Sequence, residues 1–171
     1  MSRYQIQVSA RTVEWPAQCA CCNGPAETTL RASTTRTTSR RLVTTIKRHW
    51  DVPYCEVCLA HIQKHRSAVS MRKAGIGVAL VAGFLATFST EYGLAIGILA
   101  ALLLAGSISR SRALEQQAVG MTKPGECVST AAAVEYLEWY GILHTFVFAN
   151  AEYLEAFLEA NGQHPDIRQV R

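Results

Sequence analysis

The sequence predicts an α+β protein built from three consecutive segments, and two features of the chain support this prediction. Cysteine pairs occur twice in the first third of the chain, within residues 19–22 (CACC) and 55–58 (CEVC). A long apolar stretch follows at residues 74–109, with Glu91 as its single charge. Paired cysteines are typical of a small metal-stabilised module, and such an apolar stretch is typical of helices that cross a membrane.

The charge is distributed unevenly along the 171 residues. Residues 1–73 hold twelve Lys/Arg against four Asp/Glu, a net charge of +8. Residues 74–122 are neutral, and residues 123–171 hold three Lys/Arg against seven Asp/Glu, a net charge of −4. Neither flank is large enough to bury a deep core alone, so we expect a metal or a partner to contribute to stability.

The apolar stretch predicts a transmembrane helical hairpin. Two runs at residues 74–90 and 94–109 are separated by Glu91-Tyr92-Gly93. Each run is at the short end of what spans a hydrocarbon core of roughly 30 Å. The alternative is a buried hairpin of a soluble protein, but two small polar flanks would then have to cover more than thirty nearly uncharged residues.

Basic residues predict the orientation of this hairpin. They flank its two outer ends and are absent from the connecting turn. The positive-inside rule therefore places both termini in the cytoplasm, with Glu91–Gly93 as the outer turn and residues 110–125 as a linker. The flanking basic residues are Lys64, Arg66, Arg72, Lys73, Arg110 and Arg112.

Residues 1–70 predict a cytosolic zinc-binding module with Cys19, Cys22, Cys55 and Cys58 as ligands. Zinc favours four such ligands in a tetrahedron, and two Cys-x2-Cys pairs supply them from separate turns. No apolar run at the start resembles a signal peptide, which favours a reducing compartment and metal-bound thiols over disulfides. We expect a β-hairpin between the pairs, with strands at residues 27–33 and 42–46, and a helix after the second pair at residues 59–69, as in a zinc ribbon or treble-clef-like fold.

The ligand set leaves alternatives open. Cys21 could replace either cysteine of the first pair. His61 continues the second pair as Cys-x2-Cys-x2-His, although we favour a surface position facing lipid headgroups over a ligand role for it. Cys127 is distant in sequence and reads most simply as a small buried apolar residue. A redox role for either pair would need a strand–helix context that the sequence around Cys19 and Cys55 does not supply.

The Arg-rich hairpin allows three interpretations, one of which is a plain solvated face. Basic residues beside a membrane attract anionic lipid headgroups, at roughly 1 kcal/mol each. The alternative is nucleic-acid binding through phosphate contacts, which we consider less favoured. The residues concerned are Arg31, Arg36, Arg40, Arg41, Lys47, Arg48 and His49.

Residues 126–165 predict a cytosolic ββα module. An extended segment at 128–140 is followed by a turn at Gly141 and a returning strand at 142–148. Asn150 is a suitable N-cap for a helix over residues 151–160, whose apolar residues form one stripe. We expect Phe146 and its aromatic neighbours to form an apolar seam with the basic front of the chain.

Two motifs carry a resemblance to a known class of proteins. One is Cys19-x2-Cys22 followed by Val52-Pro53-Tyr54-Cys55-x2-Cys58-x2-His61, and the other is the aromatic segment 146–153. With the apolar hairpin between them, these motifs resemble uncharacterised bacterial zinc-ribbon membrane proteins. The resemblance implies an integral protein of the bacterial inner membrane.

The sequence contains no recognisable catalytic constellation, such as a Ser/His/Asp array or a phosphate-binding glycine loop. We therefore expect a non-enzymatic membrane protein with a structural Zn²⁺ site and no catalytic residues. Its expected role is that of an adaptor or scaffold that recruits a protein partner at the cytoplasmic face of the bilayer. The alternative is a membrane-tethered zinc ribbon that binds nucleic acid.

Overall fold

The computed structural model describes residues 3–39, 43–88, 92–123, 127–162 and 167–170. These residues form an α+β fold with three helices and two small antiparallel sheets. In chain order the elements are β1 (Tyr4–Ser9), β2 (Thr28–Ser39), β3 (Val43–Tyr54), α1 (Glu56–Phe88), α2 (Gly93–Met121), β4 (Val134–Tyr140), β5 (Leu143–Phe148), α3 (Ala151–Ala160) and β6 (Ile167–Val170).

The chain folds into two compact units. The β-rich unit contains both sheets, α3 and the beginning of α1, and the helical unit contains the rest of α1 and α2. Because the β-rich unit draws on both ends of the chain, the segments 1–70 and 126–165 contribute to one unit.

The larger sheet has the strand order β4-β5-β1-β6. Gly141 adopts a positive φ of 62° in the tight turn between β4 and β5, which a residue without a side chain adopts at little cost. β1 pairs antiparallel with β5, so that Ile6 lies opposite Phe146. The expected β4–β5 hairpin and its turn are therefore confirmed, and two further strands extend its sheet.

The smaller sheet is the β2–β3 hairpin that separates the cysteine pairs. The pairing runs from Thr28 opposite Tyr54 to Ser39 opposite Val43. This confirms a hairpin between the two pairs and gives it longer strands than the sequence suggested. Arg40 and Arg41, part of the predicted basic surface, lie outside the described residues.

Aromatic rings form the core of the β-rich unit. Phe146, Phe148 and Phe157 are fully buried, and Trp15 packs against all three. Trp50 of β3 packs edge-on against Phe146, with ring centroids 6.0 Å apart. The expected apolar seam between the front of the chain and Phe146 is thus present, and it joins the hairpin to the larger sheet.

The α3 helix follows the sequence prediction closely. It spans Ala151–Ala160, and the Asn150 side chain accepts hydrogen bonds from the backbone N–H groups of Glu152 and Tyr153. Asn161 caps the other end. Tyr153, Leu154 and Phe157 form its buried stripe.

The helical unit consists of two helices that are long and apolar enough to cross a membrane. Only 6% of the most apolar window of each helix is buried, and large side chains such as Leu80, Phe84 and Leu94 are exposed. Glu91, the predicted turn charge, lies outside the described residues. The linker predicted at residues 110–125 is mostly helical in the structure, because α2 continues without a break to Met121.

The polar halves of α1 and α2 interact with each other. Arg72 lies 3.6 Å from the Glu115 carboxylate, and Lys64 donates a hydrogen bond to Gln117. The continuation of α2 beyond its apolar run therefore provides partners for the basic half of α1. These exposed contacts add little stability by themselves, and residues 110–121 also favour a helix through residues such as Ala113, Leu114 and Glu115.

Candidate metal centre

The first cysteine pair lies in a tight turn before β2. The Cys19 N–H donates to the Gly24 carbonyl over 2.7 Å, and the Asn23 N–H donates to the Cys19 carbonyl over 2.9 Å. Asn23 adopts the left-handed conformation with φ 56°, which asparagine tolerates better than most residues. This turn presents the cysteine side chains of residues 19–22 to the end of β3.

The second cysteine pair lies where β3 passes into α1. The Cys55 sulfur accepts a hydrogen bond from the Cys58 N–H, with an N···S distance of 3.5 Å. The Ala20 N–H donates to the Pro53 carbonyl over 3.0 Å, which ties the first turn to this strand. Cys58 occupies the first turn of the helix, so its position is fixed by helical backbone bonds.

The structure brings all four predicted ligands together. The sulfur atoms of Cys19, Cys22, Cys55 and Cys58 lie within 4.8 Å of one another. The Cys22 and Cys55 sulfurs are 3.8 Å apart, far longer than the roughly 2.05 Å of a disulfide bond. All six cysteines are described, and none forms a disulfide. This group of thiols could hold a metal ion.

A second group of candidate ligands overlaps the first. It consists of Cys21, Cys58, Cys127 and His61, whose ligand atoms also lie within 4.8 Å of one another. Cys58 belongs to both groups, and its sulfur is 3.6 Å from that of Cys127. His61 is fully buried and follows Cys58 by three residues on α1, which places both side chains on one helix face.

The second group changes the interpretation of three residues. Cys127 lies beside Cys58 rather than acting only as a buried apolar side chain, which corrects its sequence interpretation. Cys21 belongs to a group of its own instead of simply replacing Cys19 or Cys22. His61 is buried within this group, so its expected surface position is wrong. The Cys-x2-Cys-x2-His spacing was a signal for His61, whereas no local spacing pointed to Cys127.

The close packing of the thiols perturbs their proton affinities. A hydrogen bond from the Cys58 thiol lowers the pKa of Cys19 to about 4, and the same interaction raises the pKa of Cys58. Burial raises the pKa of Cys22 to about 11 and raises the pKa of Cys127. A metal ion would have to displace the protons that the raised pKa values retain on Cys22, Cys58 and Cys127.

Asn150 connects α3 to the first cysteine turn. Its side-chain Nδ2 donates to the Cys21 carbonyl over 3.2 Å and to the Asn23 side-chain oxygen over 2.8 Å. The Asn23 amide in turn donates to the Glu152 carboxylate over 2.6 Å. The residue that caps α3 therefore also orients the turn that carries three of the cysteines.

Tyr54 supports the thiols from the other side. Its buried hydroxyl accepts hydrogen bonds from the backbone N–H groups of Ala133 and Val134. Burial raises the pKa of this phenol, so it stays neutral near pH 7. Because Tyr54 directly precedes Cys55, these bonds anchor the second cysteine pair to the start of β4.

The basic hairpin contacts the β4–β5 turn. Arg36 donates to the Trp139 carbonyl and lies over the Tyr140 ring, with 5.5 Å to the ring centroid. Arg48 donates to the Gly141 carbonyl and lies over the Trp139 ring at the same distance. These two arginines thus connect the β2–β3 hairpin to the β4–β5 turn, while each guanidinium keeps its charge and further donors.

Comparisons with protein-family models, with curated proteins and with solved structures give no match for this chain.

Proposed function

We propose that this chain is a non-enzymatic integral membrane protein with a structural zinc site, and that its cytoplasmic β-rich unit recruits a protein partner. One combination carries the proposal: a buried thiol group at the start of α1, followed along the same helix by an exposed apolar surface. A metal ion bound by the thiols would stabilise the small β-rich unit, and the apolar helices would anchor the protein in the bilayer.

Zinc fits the first thiol group by chemistry and by distance. Zinc binds thiolates in a tetrahedron with Zn–S bonds of about 2.3 Å, which separates neighbouring sulfurs by about 3.8 Å. The Cys22 and Cys55 sulfurs have this separation. We include in the proposal that the cysteine turns and the β2–β3 hairpin form a zinc-ribbon-like module, which this fit supports.

The exposure of the apolar residues supports membrane insertion. A helix in the core of a soluble protein buries such side chains, whereas here the windows are 6% buried. The basic residues of these two helices lie before the apolar run of α1 and after the apolar run of α2. The positive-inside rule then orients both termini to the cytoplasm, and the resemblance noted above suggests the bacterial inner membrane.

Exposed apolar side chains around the β4–β5 turn support a role in protein recruitment. Tyr140 is 75% exposed and Ile142 is 51% exposed. They lie beside a groove of about 490 Å³ between β2 and β4, lined by residues that include Thr34, Leu137 and Tyr140. Aromatic and aliphatic side chains next to a groove are common anchors for protein partners.

A shallow basic pocket favours the alternative of nucleic-acid binding. It measures about 310 Å³ and is lined by Arg11, Lys47, Arg48, His49 and Trp50, among others. Cations beside an aromatic ring can bind phosphate and stack a base. Anionic lipid headgroups would use the same cations, so this pocket alone does not select the ligand.

Capture from native membranes tests the recruitment role. The tagged full chain should retain a specific protein, and Tyr140→Ser should lose it, whereas Ile46→Ser, at another exposed apolar position on β3, should not. In parallel, the detergent-solubilised chain is titrated with an oligonucleotide at physiological salt. Binding of the oligonucleotide that weakens in Lys47→Gln, with no protein retained, would favour the alternative.

Thiol labelling in intact cells tests the topology. A Tyr92→Cys variant should react with a membrane-impermeant thiol reagent, whereas Glu159→Cys on α3 should react only after the cells are opened. The reverse pattern would overturn the orientation. Release of the unmodified chain from membranes by carbonate would contradict membrane insertion itself.

A further inference from the structure

The cysteine turns bring more metal-ligating groups together than one ion can use. A zinc ion in a structural site takes four ligands, but six thiols and one imidazole belong to the two overlapping groups. We propose that the β-rich unit holds a two-metal thiolate centre in which the Cys58 sulfur bridges both ions. This proposal rests on the proposed zinc site and adds a second ion to it.

The donor sets suit two closed structural sites. The first ion would take Cys19, Cys22, Cys55 and the shared Cys58, a set of four thiolates. The second would take Cys21, Cys127, His61 and the same Cys58, a set of three thiolates and one imidazole. Both sets are usual for structural zinc. A thiolate sulfur has several lone pairs, so Cys58 can bind two cations at once.

Distances and burial support the second site. The Cys58 and Cys127 sulfurs are 3.6 Å apart, close to the sulfur separation of about 3.8 Å around tetrahedral zinc. Cys21, Cys58 and His61 are all fully buried. Closely packed thiols deprotonate together only at a high electrostatic cost, and the two positive charges of a second ion would balance the thiolates of Cys21 and Cys127, so the buried net charge would not grow.

The backbone around these ligands is already held in position. The Cys21 carbonyl accepts hydrogen bonds from the Asn150 side chain and from the Val128 N–H, and the Cys21 thiol donates to the Ser129 carbonyl over 3.5 Å. The Cys127 N–H donates to the Lys123 carbonyl over 3.1 Å. A second ion would therefore link residues 127–133, which precede β4, to the first cysteine turn.

A one-metal centre is the competing arrangement. In that case Cys21 and Cys127 would remain thiols, and His61 would be a structural side chain of α1. The two arrangements differ in the number of ions per chain, and in whether Cys127 and His61 affect that number.

Metal counting on the full chain tests the proposal. The protein is purified in detergent with zinc as the supplied metal, and zinc per folded chain is measured by elemental analysis and native mass spectrometry. We expect two ions in the unmodified chain and one in both Cys127→Ser and His61→Gln. His65→Gln, one turn further along α1 and outside both groups, should retain two.

The outcomes separate this proposal from the structural zinc site. One ion in the unmodified chain would overturn the two-metal centre and leave the single zinc site standing, whereas a folded chain without zinc would contradict both. Two ions that persist in Cys127→Ser and His61→Gln would refute this ligand set. If a variant fails to fold, the count on the unmodified chain still decides between one ion and two.

Discussion

Replacing Asn150 should destabilise the β-rich unit more than the loss of a helix cap alone. The Asn150 side-chain oxygen accepts from the N–H groups of Glu152 and Tyr153, and its Nδ2 donates to the Cys21 carbonyl and to Asn23. Asn150→Ala removes both functions. Asn150→Asp keeps the accepting oxygens of the cap and removes the donated bonds.

The expected cost follows from these four bonds. Loss of an N-cap costs about 1 kcal/mol. Each of the two hydrogen bonds donated by the Asn150 Nδ2 group adds about 0.5–1.5 kcal/mol to this loss of stability. Asn150→Ala should therefore lower the free energy of unfolding by about 2–4 kcal/mol. Asn150→Asp should retain the cap, yet it places a carboxylate beside two oxygen acceptors, so we expect a loss of at least about 1 kcal/mol.

Denaturant unfolding of the zinc-loaded full chain in detergent measures these changes. All three tryptophans, Trp15, Trp50 and Trp139, lie in the β-rich unit, so their fluorescence reports on that unit. Zinc retention against a chelator should weaken in both variants because the first cysteine turn loses its support. An Asn150→Asp variant as stable and as zinc-retentive as the unmodified chain would refute the link between the cap and the turn.

Three further predictions concern packing and titration. Phe146→Ala should lower the free energy of unfolding by about 3–5 kcal/mol because the ring is fully buried, whereas Tyr140→Ala removes an exposed ring that Arg36 overlies and should cost no more than about 1 kcal/mol, both read by tryptophan fluorescence. Burial, and secondarily the charge of Arg48, lowers the pKa of His144 in the folded chain. Between this lowered pKa and the usual histidine pKa of about 6.5, the His144 side chain therefore binds more protons in the unfolded chain than in the folded chain. Stability should thus fall as the pH drops from about 6.5 towards the lowered pKa, and the slope should be shallower in His144→Gln; equal slopes would contradict this. A methyl group at Gly75 would overlap the Ser107 side chain, so Gly75→Ala should destabilise the helical unit by roughly 1–3 kcal/mol in thermal unfolding followed by circular dichroism, whereas the open position Gly77 should tolerate alanine.

Local signals explain which parts of the fold the sequence predicted. The Asn150 cap and the Gly141 turn each depend on a few adjacent residues, and the structure has both. The hairpin between the cysteine pairs follows from β-branched residues flanking a turn, although its strands are longer than expected. Apolar length likewise identified the two long helices.

Non-local pairing explains what the sequence did not reveal. β1 joins the larger sheet through residues more than a hundred positions away, such as Ile6 opposite Phe146, and no local pattern specifies such a partner. Cys127 reaches Cys58 across 69 positions for the same reason. The boundary predicted at residue 109 followed the end of the apolar run, whereas α2 continues to Met121 through polar and apolar residues that favour a helix.

Removing the metal from the full chain in detergent tests the central claim most directly. A structural zinc site couples metal binding to folding, so stripping zinc with a chelator should expose Trp15 and Trp50 and shift the tryptophan emission to longer wavelength. The helical circular dichroism of α1 and α2 should largely persist because the helical unit contains no cysteine. Readdition of zinc should restore the emission. An unchanged emission from a chain that elemental analysis shows to be metal-free would contradict the account.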